Sequence, residues 1–364
     1  MKDLLENQFP YKPIFFRTSN IEEKKLLDEL KNSENVAFVF DEIERQITEL
    51  IRCRYPTGVG VEESEKLRST ILKNKNVADF GVWVYYPWRK TLVHILEEDD
   101  FIEVRTNRNQ LKISKEEQRK LTTKTIGIIG LSVGQSIALT IAMERICGKL
   151  RLADFDSLDL SNMNRLRTGV FNLAVPKVVI AAREIAEIDP YIDVEIFPEG
   201  VVESNFDDFL TGSGGIDVLV EVCDSFEVKI NSRLKARAAQ IPVVMDTNDK
   251  GMLDIERFDL DPDRPLIHGL AEGLTSDNIN TLSKEEKMGY LMKIVDAPNL
   301  SERMKLSVPE INKTLASWPQ LASEVVLGGS ITTTVCRGLL LDQDVPSGRY
   351  YIDVEKIIRD NNNL

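Results

Sequence analysis

The segment Asp154-Phe-Asp-Ser-Leu-Asp-Leu-Ser-Asn-Met-Asn-Arg165 decides how the chain is read, because of what precedes it. Upstream, Thr125-Ile-Gly-Ile-Ile129 reads as a short buried strand and Gly130-Leu-Ser-Val-Gly134 as a tight turn. Gln135 to Cys147 follows as a helix stopped by Gly148. Strand, glycine turn and helix form the first half of a nucleotide-binding unit, in which N–H groups at the helix start face a phosphate. Lys149-Leu-Arg-Leu-Ala-Asp154 reads as a second strand ending in a carboxylate, placed to hold ribose hydroxyls. The polar run behind it sets the Asn162 amide and the Arg165 guanidinium over the phosphates. A guanidinium matches phosphate geometry in paired bonds, and an amide donates beside it.

Downstream, Lys177 follows Pro176 at the start of a helix reading to Glu187, proline suiting the first helical turn. A cation there opposes the helix dipole, which makes sense if the ammonium faces phosphates. Asp193-Val-Glu-Ile-Phe197 is the next strand. After the flexible Gly212-Ser-Gly-Gly215 comes the apolar strand Ile216 to Val222, with Asp224 at its end. A carboxylate at the carboxyl edge of a parallel sheet, opposite a phosphate loop, is where Mg2+ would be held. Ser225 is then available to cap the following helix. Ile241-Pro-Val-Val-Met-Asp246 is the strand beyond. Alternating strands and helices of these lengths predict an α/β fold with a doubly wound, mainly parallel sheet.

These residues resemble the ThiF/MoeB family, whose adenylating, Rossmann-like fold is shared with ubiquitin-activating enzymes. The family signature is an Asp-x-Asp strand end, then Ser-Asn-Leu-(Asn/Gln)-Arg, then a lysine about a dozen residues on. Asp154, Asn162, Arg165 and Lys177 stand in those places. Asp224 matches the family's strand-end aspartate, and Thr106-Asn-Arg108-Asn-Gln-Leu111 resembles its Tyr-Asn-Arg-Gln element. The resemblance runs from roughly Arg105 to Phe258, with a weaker tail to Leu341. It implies ATP and Mg2+ as cofactors and an acyl-adenylate as product, formed on a ubiquitin-like protein or a small carboxylate. Gly130, Ser132, Gly134, Asn162, Arg165 and Lys177 would hold the phosphates, Asp154 the ribose and Asp224 the metal. Arg108 would reach the partner's nucleotide in a homodimer. The glycine turn departs from the family's Gly-x-Gly-x-x-Gly, being one residue shorter with Ser132 in place of a glycine. With Pro87-Trp88 near the start and Glu256-Arg-Phe-Asp-Leu-Asp-Pro-Asp-Arg-Pro265 after the core, the layout is most similar to ThiF-type proteins fused to a nitroreductase-like domain. No such flavin domain is expected in this chain.

Residues 1–104 are expected to form a small N-terminal α/β module. Glu22 to Leu30 and Phe40 to Arg52 read as amphipathic helices, and Val82-Trp-Val-Tyr-Tyr86 with Lys90 to Leu96 as a hairpin. No catalytic constellation stands out there. Residues 105–364 are expected to form the adenylation domain, with a C-terminal extension from about residue 261. That extension carries helices near Ser283 to Val295 and Leu321 to Leu341.

Lys and Arg total 46 against 59 Asp and Glu, for a net charge of −13. Such a surface repels phosphate backbones and anionic lipid, so neither nucleic acid nor membrane is an expected partner. No apolar run reaches the roughly eighteen residues of a membrane span, and the start lacks a signal-peptide core. The expectation is a cytoplasmic protein. Cys53, Cys147, Cys223 and Cys336 lie far apart, without a Cys-x-x-Cys pair for a disulfide framework or a tetrathiolate zinc site. Cys223 and Cys336 fall in apolar runs that predict burial, so no thioester-forming cysteine is expected.

Three other readings compete. Gly130-Leu-Ser-Val-Gly134 also spells a hydrolase nucleophile elbow, with the order Ser132, Asp246, His268 formally allowed. That reading gives Asn162, Arg165 and Lys177 no role. An NAD-dependent oxidoreductase would keep the glycine turn and Asp154 but has no use for Asp224 beside Arg165 and Lys177. A non-catalytic ThiF-fold binding module would keep the sheet and lose turnover. Asp156, Asp159 and Arg167 read as solvated surface.

Overall fold

The computed structural model describes residues 9–73 and 75–360. The chain forms two compact units, one running to Gln118 and including Ala186–Tyr191, the other made of Arg119–Ile185 and Ile192 onward.

The first unit contains, in chain order, β1 (Ile14–Phe16), α1 (Ile21–Lys31), β2 (Phe38–Asp41), α2 (Ile43–Arg54), α3 (Val61–Leu72), β3 (Val82–Tyr86), β4 (Thr91–Ile95) and α4 (Glu98–Arg105). Its four-stranded sheet has the order β1-β3-β4-β2. The expected hairpin is β3 paired antiparallel to β4, turned through Pro87–Arg89. Ile43, Ile47, Leu50 and Ile51 are the buried stripe of α2, at helical spacing. One expectation fails here. The sequence pattern predicts that this helix starts at Phe40, but Phe38–Asp41 is an edge strand parallel to β4, exposed along its whole length. Three consecutive apolar residues fit either element when only one turn of pattern is available.

The next helix, α5 (Lys115–Thr122), contains the division between the units. The second unit holds β5 (Thr125–Ile129), α6 (Leu131–Glu144), β6 (Lys149–Ala153), α7 (Lys177–Ile188, whose end from Ala186 belongs to the first unit), β7 (Asp193–Phe197), α8 (Phe206–Thr211), β8 (Val218–Glu221), α9 (Phe226–Ala238), β9 (Val243–Asp246) and β10 (Met252–Glu256). It continues with α10 (Lys284–Ile294), α11 (Glu302–Ser307), α12 (Ala322–Leu340), β11 (Gly348–Tyr351) and α13 (Val354–Asp360). Among the described residues its sheet has seven strands in the order β11-β10-β9-β8-β5-β6-β7. Strands β9, β8, β5, β6 and β7 run parallel, while β10 and β11 are antiparallel additions. Chain order reverses between β5 and β8, the switch point at which open α/β sheets bind ligands outside their carboxyl ends.

The parallel strands are buried almost throughout, as apolar runs such as Val218-Leu-Val and Val243-Val-Met dictate. Helix α6 starts at Leu131, four residues before the expected Gln135, and ends at Glu144 with Arg145 at φ 54°. Gly148 does not stop the helix. A side chain there would collide with the Thr122 carbonyl, so close backbone approach explains that glycine.

A charged cluster sits inside this apolar unit. Arg233 of α9 donates to Glu256 of β10 and Glu221 of β8, both at 2.6 Å, and Lys229 donates to Glu221 at 2.8 and 2.9 Å. Burial alone would raise the Glu221 carboxyl, but Lys229 and Arg233 hold it down to about 2. Lys229 and Arg233 are one helical turn apart, so a single face of α9 supplies both cations.

Candidate nucleotide site

Gly130 sits at the N-terminus of α6 with φ 90°, a conformation glycine adopts without penalty. A side chain there would press on Cys223 N and Val222 O, both at 2.9 Å, so the β8 loop closes tightly over the turn. Helix α6 has 14 residues and no side-chain cap. Its first-turn N–H groups have no intrahelical acceptors and face the switch point. Gly134 has a different job from the one expected of a cradling loop. It lies inside α6, where a side chain would meet Ile128 at 2.8 Å and Val222 at 3.2 Å, so it lets helix and strands pack.

Asp154, just past β6, is buried and accepts from Leu131 N at 2.6 Å and Asp156 N at 2.8 Å. Burial raises its pKa, opposed by the Lys177 charge and those two N–H groups. The carboxylate thus ties the start of α6 to the second strand, and each oxygen keeps one further lone pair for a ligand hydroxyl.

The polar run bends back over the helix. Arg165 donates to Ser132 Oγ through Nε at 3.1 Å and Nη2 at 2.7 Å, and through Nη1 to Asn164 at 2.9 Å. Burial lowers the Arg165 pKa, and the charge of Asp224 opposes that shift, so the two side chains interact across the crevice. Asn162 Oδ1 accepts from Asp159 N at 3.1 Å in a capping box, and among the described residues its amide donors are unused. Asp159 is therefore structural rather than merely solvated. Lys177 has 7% of its surface exposed, begins α7, and donates to Asp156 Oδ2 at 2.8 Å. Asp156, expected to be idle surface, is the local compensation for a cation at a helix start, and its main-chain oxygen also accepts from Lys177 N at 2.9 Å. Two ammonium protons remain for a ligand.

Asp224 is exposed, and among the described residues it has no hydrogen-bond or ion-pair partner. Ser225 caps α9 by accepting from Val228 N at 3.3 Å, which leaves Asp224 unused by the helix. Among the described residues no three His, Cys, Asp or Glu side chains converge to hold a metal. A Mg2+ here would rest on Asp224 and on nucleotide phosphates, the usual division for this ion. Arg108 belongs to the first compact unit and is exposed.

The hydrolase arrangement does not form. Ser132 Oγ is occupied by Arg165, while His268 lies against Arg264 at 2.9 Å and Asp254 at 3.3 Å. Cys336 is buried, as its apolar run predicts, and burial pushes its thiol up to about 12. Cys223 is only partly buried, contrary to expectation, because it lies past the end of β8. Its thiol is nevertheless raised by burial and the Glu221 charge.

Sequence reading missed Gln135. This buried side chain accepts from Arg167 N at 3.1 Å and donates to Arg167 O at 3.4 Å, clamping the backbone just after Arg165. The available signal was a polar residue inside an otherwise apolar helix.

Residues 106–259 match a family model described as the ThiF family. The chain carries a ThiF family domain. An uncharacterised protein of Mycobacterium tuberculosis is 42% identical over 272 residues, covering 75% of this chain and 38% of that protein. The tRNA threonylcarbamoyladenosine dehydratase of Bacillus subtilis is 27% identical over 156 residues, 42% of this chain and 60% of that protein. The ubiquitin-like modifier-activating enzyme 5 of Drosophila persimilis is 30% identical over 145 residues, 37% of this chain and 38% of that protein. The chain therefore spans less than two thirds of each of these relatives. The ThiF match includes Arg108 and every residue of the site assembled above. No helix among the described residues is long and apolar enough to cross a membrane.

Proposed function

We propose that the ThiF domain is an ATP-dependent adenylyltransferase that activates a carboxylate, on a ubiquitin-like protein or a small molecule, as an acyl-adenylate. The observation that carries this reading is the pairing across the switch point. Arg165 is seated on the helix-start serine, and the unpartnered Asp224 carboxylate acts on it from the next loop. A dinucleotide oxidoreductase has no use for that pair. In the reaction a carboxylate oxygen bonds to the α-phosphorus, the bond to the bridging oxygen breaks, and pyrophosphate departs with the electron pair. The chain supplies position and charge rather than covalent chemistry. The α6 N-terminus, Arg165, Asn162 and Lys177 hold the phosphates and Asp154 the ribose. Asp224 holds Mg2+, which neutralises phosphate charge when bound. Arg108 completes the neighbour's site in a homodimer. The names of the relatives support modification of either a polypeptide or an RNA-borne group, and the net charge of −13 favours the former.

Calorimetric titration of the whole chain with ATP and with NAD, each with and without Mg2+, tests the reading. Mg2+-dependent ATP binding that is lost in Asp224→Asn is expected. Tighter binding of NAD than of ATP would overturn it.

A further inference from the structure

Three unpartnered oxygens occur at and near the carboxyl end of β9, outside the residues assigned to nucleotide. Asp246 and Asn248 each have 4% of their surface exposed and Thr332 has 0%. Asp246 Oδ1 accepts from Asn248 N at 3.2 Å. Among the described residues its Oδ2 has no partner, nor have Asn248 Oδ1 and Thr332 Oγ1, and all three atoms are shielded from solvent. A methyl group at Gly328 would collide with Asp246 Oδ2, so α12 is threaded directly against the carboxylate. Thr332 stands one turn further along α12 on the same face. The adjacent Gly329 lies against Ser136 of α6. Ser136 is one turn, about 6 Å of axial rise, beyond Ser132. The helix that carries Thr332 thus packs on the helix that follows the glycine turn.

The backbone here is strained. Asn248 has φ 64° and ψ −52°, and Asp249 N donates to Thr247 O at 2.8 Å, which makes a γ-turn of the uncommon positive-φ kind. Asp249 fixes the turn from beyond by accepting from Ser301 N at 2.8 Å and Ser301 Oγ at 2.6 Å. Such strain persists where surroundings enforce it, and it gathers at ligand sites.

Buried oxygens without donors cost stability. The fold does not need a carboxylate at position 246, because an amide oxygen would accept the Asn248 N–H equally well. The unused atoms are a carboxylate oxygen, an amide oxygen and a hydroxyl oxygen, all able to accept. A primary ammonium offers three donors and one positive charge. Asp249 and Glu324, whose charges act on each other nearby, add negative potential.

We propose that Asp246, Asn248 and Thr332 form a binding subsite for a primary ammonium group. It rests on the adenylation reading only in naming the bearer, a carboxylate substrate that also carries an amine. Entry requires the Thr247–Gly251 turn to shift, and the strain at Asn248 lowers the cost of that movement.

Thermal unfolding of the full chain at pH 8 tests this, with methylammonium or tetramethylammonium chloride at equal ionic strength. Methylammonium at ten times its dissociation constant should raise Tm by about 3 °C. Tetramethylammonium, which has no N–H, should not. Asp246→Asn and Asn248→Ala should lose the methylammonium response and keep the rise caused by ATP with Mg2+, which certifies folding. If Asp246→Asn does not fold, Asn248→Ala decides. Equal responses to the two cations, no response in the wild type, or a response retained in the variants would overturn the proposal. A selective methylammonium response without any ATP response would leave the subsite standing and remove the adenylation reading.

Discussion

Replacing Asp246 by asparagine should stabilise the second unit, and by more as pH rises. Burial pushes the Asp246 carboxyl from 3.8 up to about 7, against the lowering effect of the Asn248 N–H. A carboxyl whose folded pKa is raised binds its proton more tightly in the native state. The native state is therefore unpenalised below the unfolded pKa, loses stability as pH climbs from about 4, and carries the full penalty above about 7. At 1.36 kcal/mol per pKa unit, the penalty is about 2 kcal/mol at pH 5 and about 4 kcal/mol at pH 8. The asparagine keeps the oxygen that accepts from Asn248. The cost of its own amide does not vary with pH, so it cancels when the two pH values are compared. The advantage of Asp246→Asn over wild type should thus grow by about 2–3 kcal/mol between pH 5 and pH 8. Urea unfolding at both pH values reads this, with hydrogen exchange of the β9 amides assigning the change to the right unit. An advantage that stays the same at both pH values, within about 0.5 kcal/mol, would refute an uncompensated buried carboxyl at this position.

Arg165→Ala should weaken ATP binding by about 1.5–3 kcal/mol, the range for a hydrogen bond to a charged group, read by calorimetry with Mg2+ present. Glu221→Ala removes the anion facing both Lys229 and Arg233 and should cost about 3–5 kcal/mol in urea unfolding. Asp224→Asn, at an exposed side chain without partners, should change stability by less than about 0.5 kcal/mol while abolishing the Mg2+ dependence of ATP binding. Mixing chains inactivated by Arg108→Ala with chains inactivated by Asp224→Ala should restore part of the activity in verified heterodimers, and no recovery would show that Arg108 does not act across subunits.

The local order of the nucleotide unit was legible because each of its signals is short in range. Thr125–Ile129 and Asp193–Phe197 form strands with the expected bounds, since an apolar or alternating run between turn residues contains its own reason to extend. The start of α7 at Lys177 was likewise marked by Pro176. Glycines deceived where their reason lay elsewhere in the fold. Gly134 and Gly148 looked like a loop residue and a helix stop, yet Ile128, Val222 and Thr122 are what exclude a side chain at those positions. The edge strand Phe38–Asp41 was misread because its partner, Thr91–Ile95, lies about fifty residues away.

The doubly wound α/β class and the kinds of groups brought to its switch point were readable from the chain, because hydrophobic period, turn chemistry and strand-end polarity are properties of neighbouring residues, whereas the strand order was not. Tertiary structure alone decided how those groups are used. It gave Lys177 its Asp156 partner, turned Asp154 into a tie on α6, seated Arg165 on Ser132 and left Asp224 unpaired. It also brought the glycines of α12 against Asp246 across more than eighty residues of chain. Pairings of that kind depend on which surfaces meet when the sheet and helices pack, and burial then fixes the cost of each charge.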